Sequence, residues 1–435
     1  MLPGWTPCAI NQNITFSTKR LQEYCFVPWE PIIYDVLLVA AAVEFCDKLY
    51  KRPTYGWRRT FVVRIPVHEP ERWSAPVVSA ALIDALEFLT GDKWQFEFYA
   101  RVHPESPPRE ALLNFPSAQR CVMPFSDGMD SRAVGGLLER DIGDRLIRVR
   151  MGMKTIDRPS SRGQSGLFTS IPYRVRPYGR DFKEGSGRSR GFKFAMASAL
   201  TAYLLKAKEI ALPESGQGAL GPALLAVGQA YEDYRNHPFF TDRMEKFVVA
   251  LLGHEVRYDF PRLWFTKGET LKAYATAYGD RADWASTRSC WQQTRHVSVA
   301  QKQRQCGVCA ACMLRRLSVH AAGLSEEQDR YVWERLGADT YHGGAAPAFT
   351  RHTGALKEYA IAGVLHMDHM AALATSPLHA AGIKRHAAQL AVSRGLNADD
   401  AHQRLTRVLQ AHAAEWHAFV DELGERSFVR SWVSL

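Results

Sequence analysis

The sequence predicts an α/β protein built on a doubly wound, mainly parallel sheet, flanked by an N-terminal α/β extension and a C-terminal helical region. Three observations carry that expectation. Strand and helix signals alternate from about residue 119 to 322, the pattern of a parallel sheet with crossover helices. A small polar segment, Ser126 to Ser131, runs directly from a strand into a helix. Four cysteines crowd the end of the same region, Cys290, Cys306, Cys309 and Cys312. A chain of 435 residues has room for several domains. The expected divisions are 1–117, 118–322 and 323–435.

Each element has its own signal. In the first segment, residues 31–52 have helical periodicity around Val36, Leu37, Val43 and Leu49. Residues 61–67 and 94–101 look like strands, and 75–89 between them like a helix. Pro104, Pro107 and Pro108 mark a linker. The middle segment opens with a strand at 121–125, a helix at 129–140 and a strand at 146–151. The stretch 154–190 is rich in Gly and Arg, lacks sustained apolar periodicity, and is expected to be a long loop or lid. A helix at 192–208 and a strand at 209–212 follow. Beyond residue 324 the chain is rich in Ala and His and is expected to be helical throughout, at 326–336, 356–375, 382–393 and 399–423, with stops at Gly395 and Gly424. The histidines of this part are expected on ordinary polar faces.

Composition narrows the partners. Hydrophobic residues make up 46% and charged residues 23%, which argues against wholesale disorder. The longest apolar run, residues 36–43, is far short of the ~18 residues a membrane span needs. The N-terminus shows no basic segment followed by an apolar one, so no secretory signal is expected, and without a span no membrane partner either. The eight cysteines then read as cytosolic thiols or metal ligands, and a cytoplasmic location is expected. Net charge is +10, yet 13 of the 55 basic and 3 of the 45 acidic residues lie in 145–193, leaving 42 of each elsewhere. One cationic stretch just beyond the polar segment favours a lid over an anion, or an acidic partner, above a broad nucleic-acid surface.

The polar segment is Ser126-Asp127-Gly128-Met129-Asp130-Ser131. A helix N-terminus offers free N–H groups and a positive dipole end to phosphate. Ser126 and Ser131 add hydroxyl donors, Gly128 lets the backbone approach, and Asp130 caps the helix or holds Mg2+. An Asp-Gly turn with a capping aspartate and no ligand fits the same letters. The four cysteines combine two overlapping CxxC spacings with a fourth thiol from a preceding loop. Such a set suits tetrahedral Zn2+ in a structural role. An iron–sulfur cluster, or simply reduced thiols, are the competing readings.

The segment 126–131 is similar to the PP-loop of ATP pyrophosphatases, SGGxDS, with Asp127 in place of a second glycine. Followed by SC…CGxCxxCxxRR, it resembles the 7-cyano-7-deazaguanine synthases, the QueC-type enzymes, over about 118–322. Between these motifs, Arg190 and Phe194 in RGFKFAMA resemble the family's RNxxFLSLA, with Gly191 where the family has asparagine. Thr266-Lys267 followed by Glu269 resembles its TKAE. The resemblance implies the PP-loop (adenine nucleotide α-hydrolase-like) fold, with ATP, Mg2+ and Zn2+ as cofactors. It places Phe125, Ser126, Asp127, Gly128, Met129, Asp130, Ser131 and Arg188 at the nucleotide. It gives Asp130, Lys267 and Arg190 to the chemistry, and the four cysteines to zinc. Solvated surface charge is the plain alternative for Arg188, Arg190 and Lys267.

The implied reaction is adenylation of the carboxylate of 7-carboxy-7-deazaguanine, with pyrophosphate release, then attack by an amine. Ammonia-using synthases are little more than the catalytic core, whereas this chain extends well beyond it at both ends. In that it resembles larger relatives in bacterial antiphage cassettes, Qat-type and type IV CBASS-type, which join a deazaguanine to a macromolecule. A protein N-terminus, from a partner of the same operon, is then the expected acceptor. A conventional ammonia-using synthase, a tRNA-modifying PP-loop enzyme and a non-catalytic nucleic-acid-binding adaptor are the alternatives.

Overall fold

The computed structural model describes residues 5–25, 27–105, 120–126, 128–154, 168–177, 181–225, 230–292 and 296–433. Asp127, Pro107 and Pro108 lie outside the described residues, as do 155–167 and 178–180 of the cationic stretch. Packing divides the chain into two units of three segments each. The first comprises 1–125, 138–213 and 226–261; the second comprises 126–137, 214–225 and 262–435.

The first unit opens with β1 (Ile14–Phe16), α1 (Lys19–Cys25) and α2 (Pro31–Leu49). Fifteen of the 19 residues of α2 are buried, as expected of a helix apolar on nearly all sides. Its buried acids are all engaged. Asp35 accepts from His68 Nδ1 at 2.7 Å, Glu44 meets Lys193 at 2.9 Å, and Asp47 with Asp92 holds Arg59 at 2.6 and 2.8 Å. Then follow β2 (Thr60–Val67), α3 (Pro70–Ser74), α4 (Pro76–Thr90) and β3 (Lys93–Ala100), with β2 and β3 paired in parallel.

The strands β4 (Cys121–Pro124), β5 (Leu146–Met151) and β6 (Thr169–Ile171) belong to the main sheet. Between β4 and β5 runs α5 (Met129–Ile142). After β6 come β7 (Tyr173–Val175), α6 (Arg190–Leu205), β8 (Glu209–Ala211), α7 (Gly216–Ala219), α8 (Gly221–Leu224), α9 (Pro238–Leu252) and β9 (Arg257–Asp259). The five-stranded sheet has the order β6-β5-β4-β8-β9, every pair parallel. Val122, Ile147, Val149 and Ile210 join the core shared with α6 and α9. Cys121, Met123, Leu146 and Ala211 face the other way, onto Leu138 and Ile142 of α5. Helices therefore cover both faces, and the strand order reverses at β4.

Two expectations need correction. Residues 154–190 are not one long loop: β6 is the sheet's edge strand and β7 pairs antiparallel with β1, Ile14 opposite Val175. Strands of three residues carry no readable periodicity, and only their distant partners create them. No helix forms at 326–336 either. That stretch holds a 3-10 turn at Gln328–Arg330 and bridges Gln305 to Tyr331 and Trp333 to Ala345. Tyr331 and Trp333 are both buried, on backbone whose N–H groups bond Gln328 and Cys306 carbonyls. The C-terminal part is thus α-helical only from Gly354 onward.

The second unit contains α10 (Lys267–Tyr278), the hairpin β10 (Ser298–Val299) and β11 (Lys302–Gln303), α11 (Ala310–Ala321), α12 (Gly354–Thr375), α13 (Ala380–Arg394) and α14 (Ala398–Leu423). Helices α12 and α13 both pack on α14, and α11 touches α12 and α14. Among the described residues no helix is long and apolar enough to cross a membrane.

Candidate active site and metal centre

The polar segment leaves the carboxyl end of β4. Phe125 is buried, its N–H bonded to Val149 at 2.7 Å. Beyond it the loop closes on itself. Ser126 Oγ lies 2.8 Å from Ser131 Oγ, the Ser126 N–H donates to Ser131 Oγ at 3.1 Å, and the Gly128 N–H donates to Ser126 Oγ at 3.1 Å. A Cβ on Gly128 would come within 3.1 Å of the same hydroxyl. Met129 and Ala133 anchor the start of α5 in a core with Leu271 and Tyr274 of α10. Tyr278 Oη donates to the Gly136 carbonyl at 2.8 Å. Two adjacent helix starts are thereby tied together.

Across them, Lys267 Nζ forms an ion pair with Asp130 Oδ2. Lys267 is the first residue of α10, behind a capping box of Thr266 and Glu269, the local sequence signal for a helix start. The other carboxylate oxygen, Asp130 Oδ1, is buried and has no hydrogen-bond partner among the described residues. An ionised oxygen left without a donor is costly, and a cation or a ligand donor is what would satisfy it. The structure thus brings together Asp130, Ser126, Ser131, Gly128 and Lys267.

Arg188 and Arg190 belong to the first unit and differ from each other. Arg188 is buried, its Nη2 donating to the Tyr231 carbonyl at 2.7 Å and its Nη1 3.3 Å from Asp233. Its guanidinium lies 4.8 Å from the centre of the Trp57 ring, which also carries Arg52 at 4.1 Å. Arg190 is exposed and stacks over Phe194 at 5.4 Å. Next to it, Gly191 has a clear reason to be glycine: a Cβ there would sit 2.5 Å from the carbonyl oxygen and 3.0 Å from the Cα of Arg235. Gly191→Asn should therefore cost about 1–3 kcal/mol, read as a lowered urea midpoint. An unchanged midpoint would show that the 235 backbone yields freely.

The metal centre is compact. The thiol sulfurs of Cys290, Cys306, Cys309 and Cys312 all lie within 4.8 Å of one another, and Cys306 and Cys312 are 3.7 Å apart. Bonds of about 2.3 Å to one tetrahedral ion put the sulfurs about 3.8 Å apart, so the set fits a single metal ion such as zinc. A cluster of several irons and sulfides would hold the thiolates further apart. Backbone N–H groups point at the sulfurs: Cys306 N to Cys290 Sγ at 3.2 Å, and Cys309 N to Cys306 Sγ at 3.3 Å. Gly307 supports the turn with φ of 86°, and a Cβ there would be 3.0 Å from Arg316, Tyr331 and Trp333 atoms. Arg315 and Arg316, which close the motif, are structural anchors. Arg315 Nη2 meets Glu326 at 2.7 Å, and Arg316 Nη1 bonds the Trp333 carbonyl at 2.6 Å.

Three functional neighbours escaped sequence reasoning, because they come from distant segments. Gln217 Oε1 accepts the Lys267 N–H at 2.7 Å. Glu415 Oε1 accepts the Thr266 hydroxyl at 2.5 Å. His412, expected on a polar face, is fully buried, with Nδ1 2.8 Å from Gln217 Nε2 and Nε2 2.8 Å from the Met367 carbonyl. Burial holds the His412 imidazole down to about 4, with His366 and His417 adding to the effect against the Met367 bond. Burial pushes the Glu415 carboxyl up to about 7, helped by Glu269 and opposed by the Thr266 and Gln217 bonds and by Arg407.

These two shifts act on stability with opposite signs. His412 stabilises above the ordinary imidazole value of 6.5, and that contribution is lost as pH falls towards about 4. Glu415, whose carboxyl is raised from 4.5, stabilises at low pH and loses its contribution as pH rises towards about 7. In the wild type they largely offset. Glu415→Gln removes one of them, so its stability should climb from pH 4.5 to 6.5 by on the order of 2 kcal/mol more than the wild type's. Urea midpoints at those two pH values decide it, and parallel profiles would contradict the assignment.

Residues 219–323 match the family described as QueC, Queuosine biosynthesis protein QueC, which supports a QueC-like family for this chain. The match contains Thr266, Lys267 and all four clustered cysteines, while Ser126 to Ser131, Arg188 and Arg190 precede it. No curated protein matches the chain.

Proposed function

We propose that the chain uses ATP to activate the carboxylate of a 7-deazaguanine and passes the acyl group to an amine. The observation that carries this reading is the Asp130–Lys267 pair. A lysine within the QueC-matched stretch is delivered by its own helix cap to the acidic residue of the Ser126–Ser131 turn. That turn leaves the strand at which the sheet order reverses, the place where open α/β sheets bind ligands. The PP-loop type of the sheet and the adenylation chemistry belong to the same proposal.

The residues fit the group. Asp130 Oδ1 and the two serine hydroxyls would hold Mg2+ and the ATP phosphates, while Phe125 and Met129 flank the turn. Bound Mg2+ would screen the polyphosphate charge that opposes an incoming carboxylate. Lys267 offers a fixed positive charge for the charge developing on the α-phosphate, and Asp130 keeps that ammonium in place. Following the resemblance, Arg190 is given to the substrate anion and Arg188 to the nucleotide. In the first step the substrate carboxylate oxygen bonds to the α-phosphorus and the bond to pyrophosphate breaks. In the second, the amine nitrogen bonds to the acyl carbon, AMP leaves, and the amine loses a proton. Glu184, held low against its burial by the Ser186 and Arg52 amides, is already engaged and is a poor base for that proton. The cysteine centre, loaded with Zn2+, serves the fold and not the chemistry.

The acceptor we propose is a protein amine, an N-terminus supplied by a partner of the same operon in a cytoplasmic antiviral defence system. Ammonia needs no docking surface, whereas a macromolecular amine does, and residues 1–117 and 323–435 offer one. Purified chain incubated with ATP, Mg2+ and 7-carboxy-7-deazaguanine should release pyrophosphate, and intact mass should show the acyl increment on the partner. Nitrile formed from ammonia with no protein adduct would make it a conventional synthase. Absence of pyrophosphate with any carboxylate, together with salt-sensitive RNA binding, would make it an adaptor.

A further inference from the structure

The polar contacts behind Lys267 form a chain whose donor and acceptor directions follow from a single fixed point. The Lys267 N–H can only donate, so the atom it meets at 2.7 Å is Gln217 Oε1. The Gln217 amide is then oriented with Nε2 towards His412, 2.8 Å from Nδ1. That nitrogen must accept, so the imidazole carries its proton on Nε2 and donates it to the Met367 carbonyl at 2.8 Å. Its burial keeps that neutral form. The second Gln217 Nε2 hydrogen points to Glu415 Oε2 at 3.4 Å, and Glu415 Oε1 takes the Thr266 hydroxyl at 2.5 Å. Each side chain has one orientation that satisfies all of these bonds.

Glycine makes the approach feasible. A Cβ on Gly268 would lie 2.9 Å from Glu415 Oε1 and 2.7 Å from the Ala321 Cβ. The residue after Lys267 is therefore bare where α14 presses on it. Gln217 and Glu415 both lie outside the 219–323 match.

We infer that Gln217 and Glu415 are positioning residues for Lys267, so that the C-terminal helix α14 is a working part of the ATP site. The inference rests on the function proposed above for that site. Gln217 fixes the Lys267 backbone, Glu415 fixes the Thr266 cap, and together they set where the ammonium meets Asp130.

Gln217→Leu and Glu415→Leu should each lower kcat for pyrophosphate release about tenfold or more, with KM for ATP within about threefold, because misplacement acts on the transition state. Glu415→Gln, which keeps an acceptor for Thr266, should recover to within about threefold of wild type. Metal content and melting temperature report folding in each variant. A second readout needs no turnover: acylation of Lys267 by an amine-reactive reagent, followed by peptide mass spectrometry. In both leucine variants Lys267 should label several-fold faster than in the wild type. Unchanged labelling, or a kcat loss that merely tracks the unfolded fraction, overturns the inference. A wild type that releases no pyrophosphate sinks the proposed function instead, and the labelling still decides whether Lys267 is positioned from α14.

Discussion

Cys312→Ser should release the metal and lower the melting temperature by roughly 10 °C, the equivalent of a few kcal/mol in a unit of this size. Cys306, Cys309 and Cys312 are each at most 1% exposed and sit inside the core that holds Trp333 and Trp416. Metal-to-thiolate bonds there would replace contacts that apolar side chains otherwise make. In small zinc domains the metal supplies on the order of 10 kcal/mol of folding free energy, and the large apolar core of this unit moderates that dependence. Chelation should reproduce the effect and re-addition of Zn2+ reverse it. Cys25→Ala, in the other core, should retain one metal ion per chain. If Cys312→Ser melts within about 2 °C of the wild type, the centre is not structural.

Lys267→Ala should reduce pyrophosphate release by about 10²–10³ while leaving metal content unchanged. The lost ammonium is one half of a largely buried pair, so Asp130 would lose that partner while its Oδ1 already lacks one among the described residues. A stability loss accompanies the kinetic one, and the two separate on Asp130→Asn. That variant keeps the shape and removes the charge, and should demand more Mg2+ for half-maximal rate. Titrating Mg2+ in the pyrophosphate assay reads both. Activity of Lys267→Ala within threefold of wild type would remove Lys267 from the chemistry.

The parts of the site that the sequence made legible are those written in consecutive residues. The cysteine spacing needed only one turn and one helix start, and Thr266 with Glu269 carries its capping pattern within four positions. Strands β4 and β5 and helix α5 lie within two residues of expectation, because the two strands are short runs buried on both faces and α5 buries most of its first two turns. Helix α9 carries ordinary boundary signals, Pro238 in its first turn and Gly253 at its end. What no local pattern encodes is pairing over distance. Gln217 meets His412 across 195 positions, and β7 meets β1 only after most of the first unit has been laid down. Buried Arg188 illustrates the same limit: its charge reads as surface until Asp233 and Trp57 are placed beside it.

The three-by-three segmentation of the chain has a consequence for how the molecule is made and lost. The polypeptide passes between its two packing units five times, and α5 itself is divided, with residues 129–137 counted in one and 138–142 in the other. A ribosome therefore cannot release a finished first half: α5 waits for partners at Leu271 and Tyr274 that emerge more than 100 residues later. Contacts between segments so far apart in sequence slow folding. A shortened chain lacking α14 loses the surface on which α11, α12 and α13 pack, and its cost falls on the second unit.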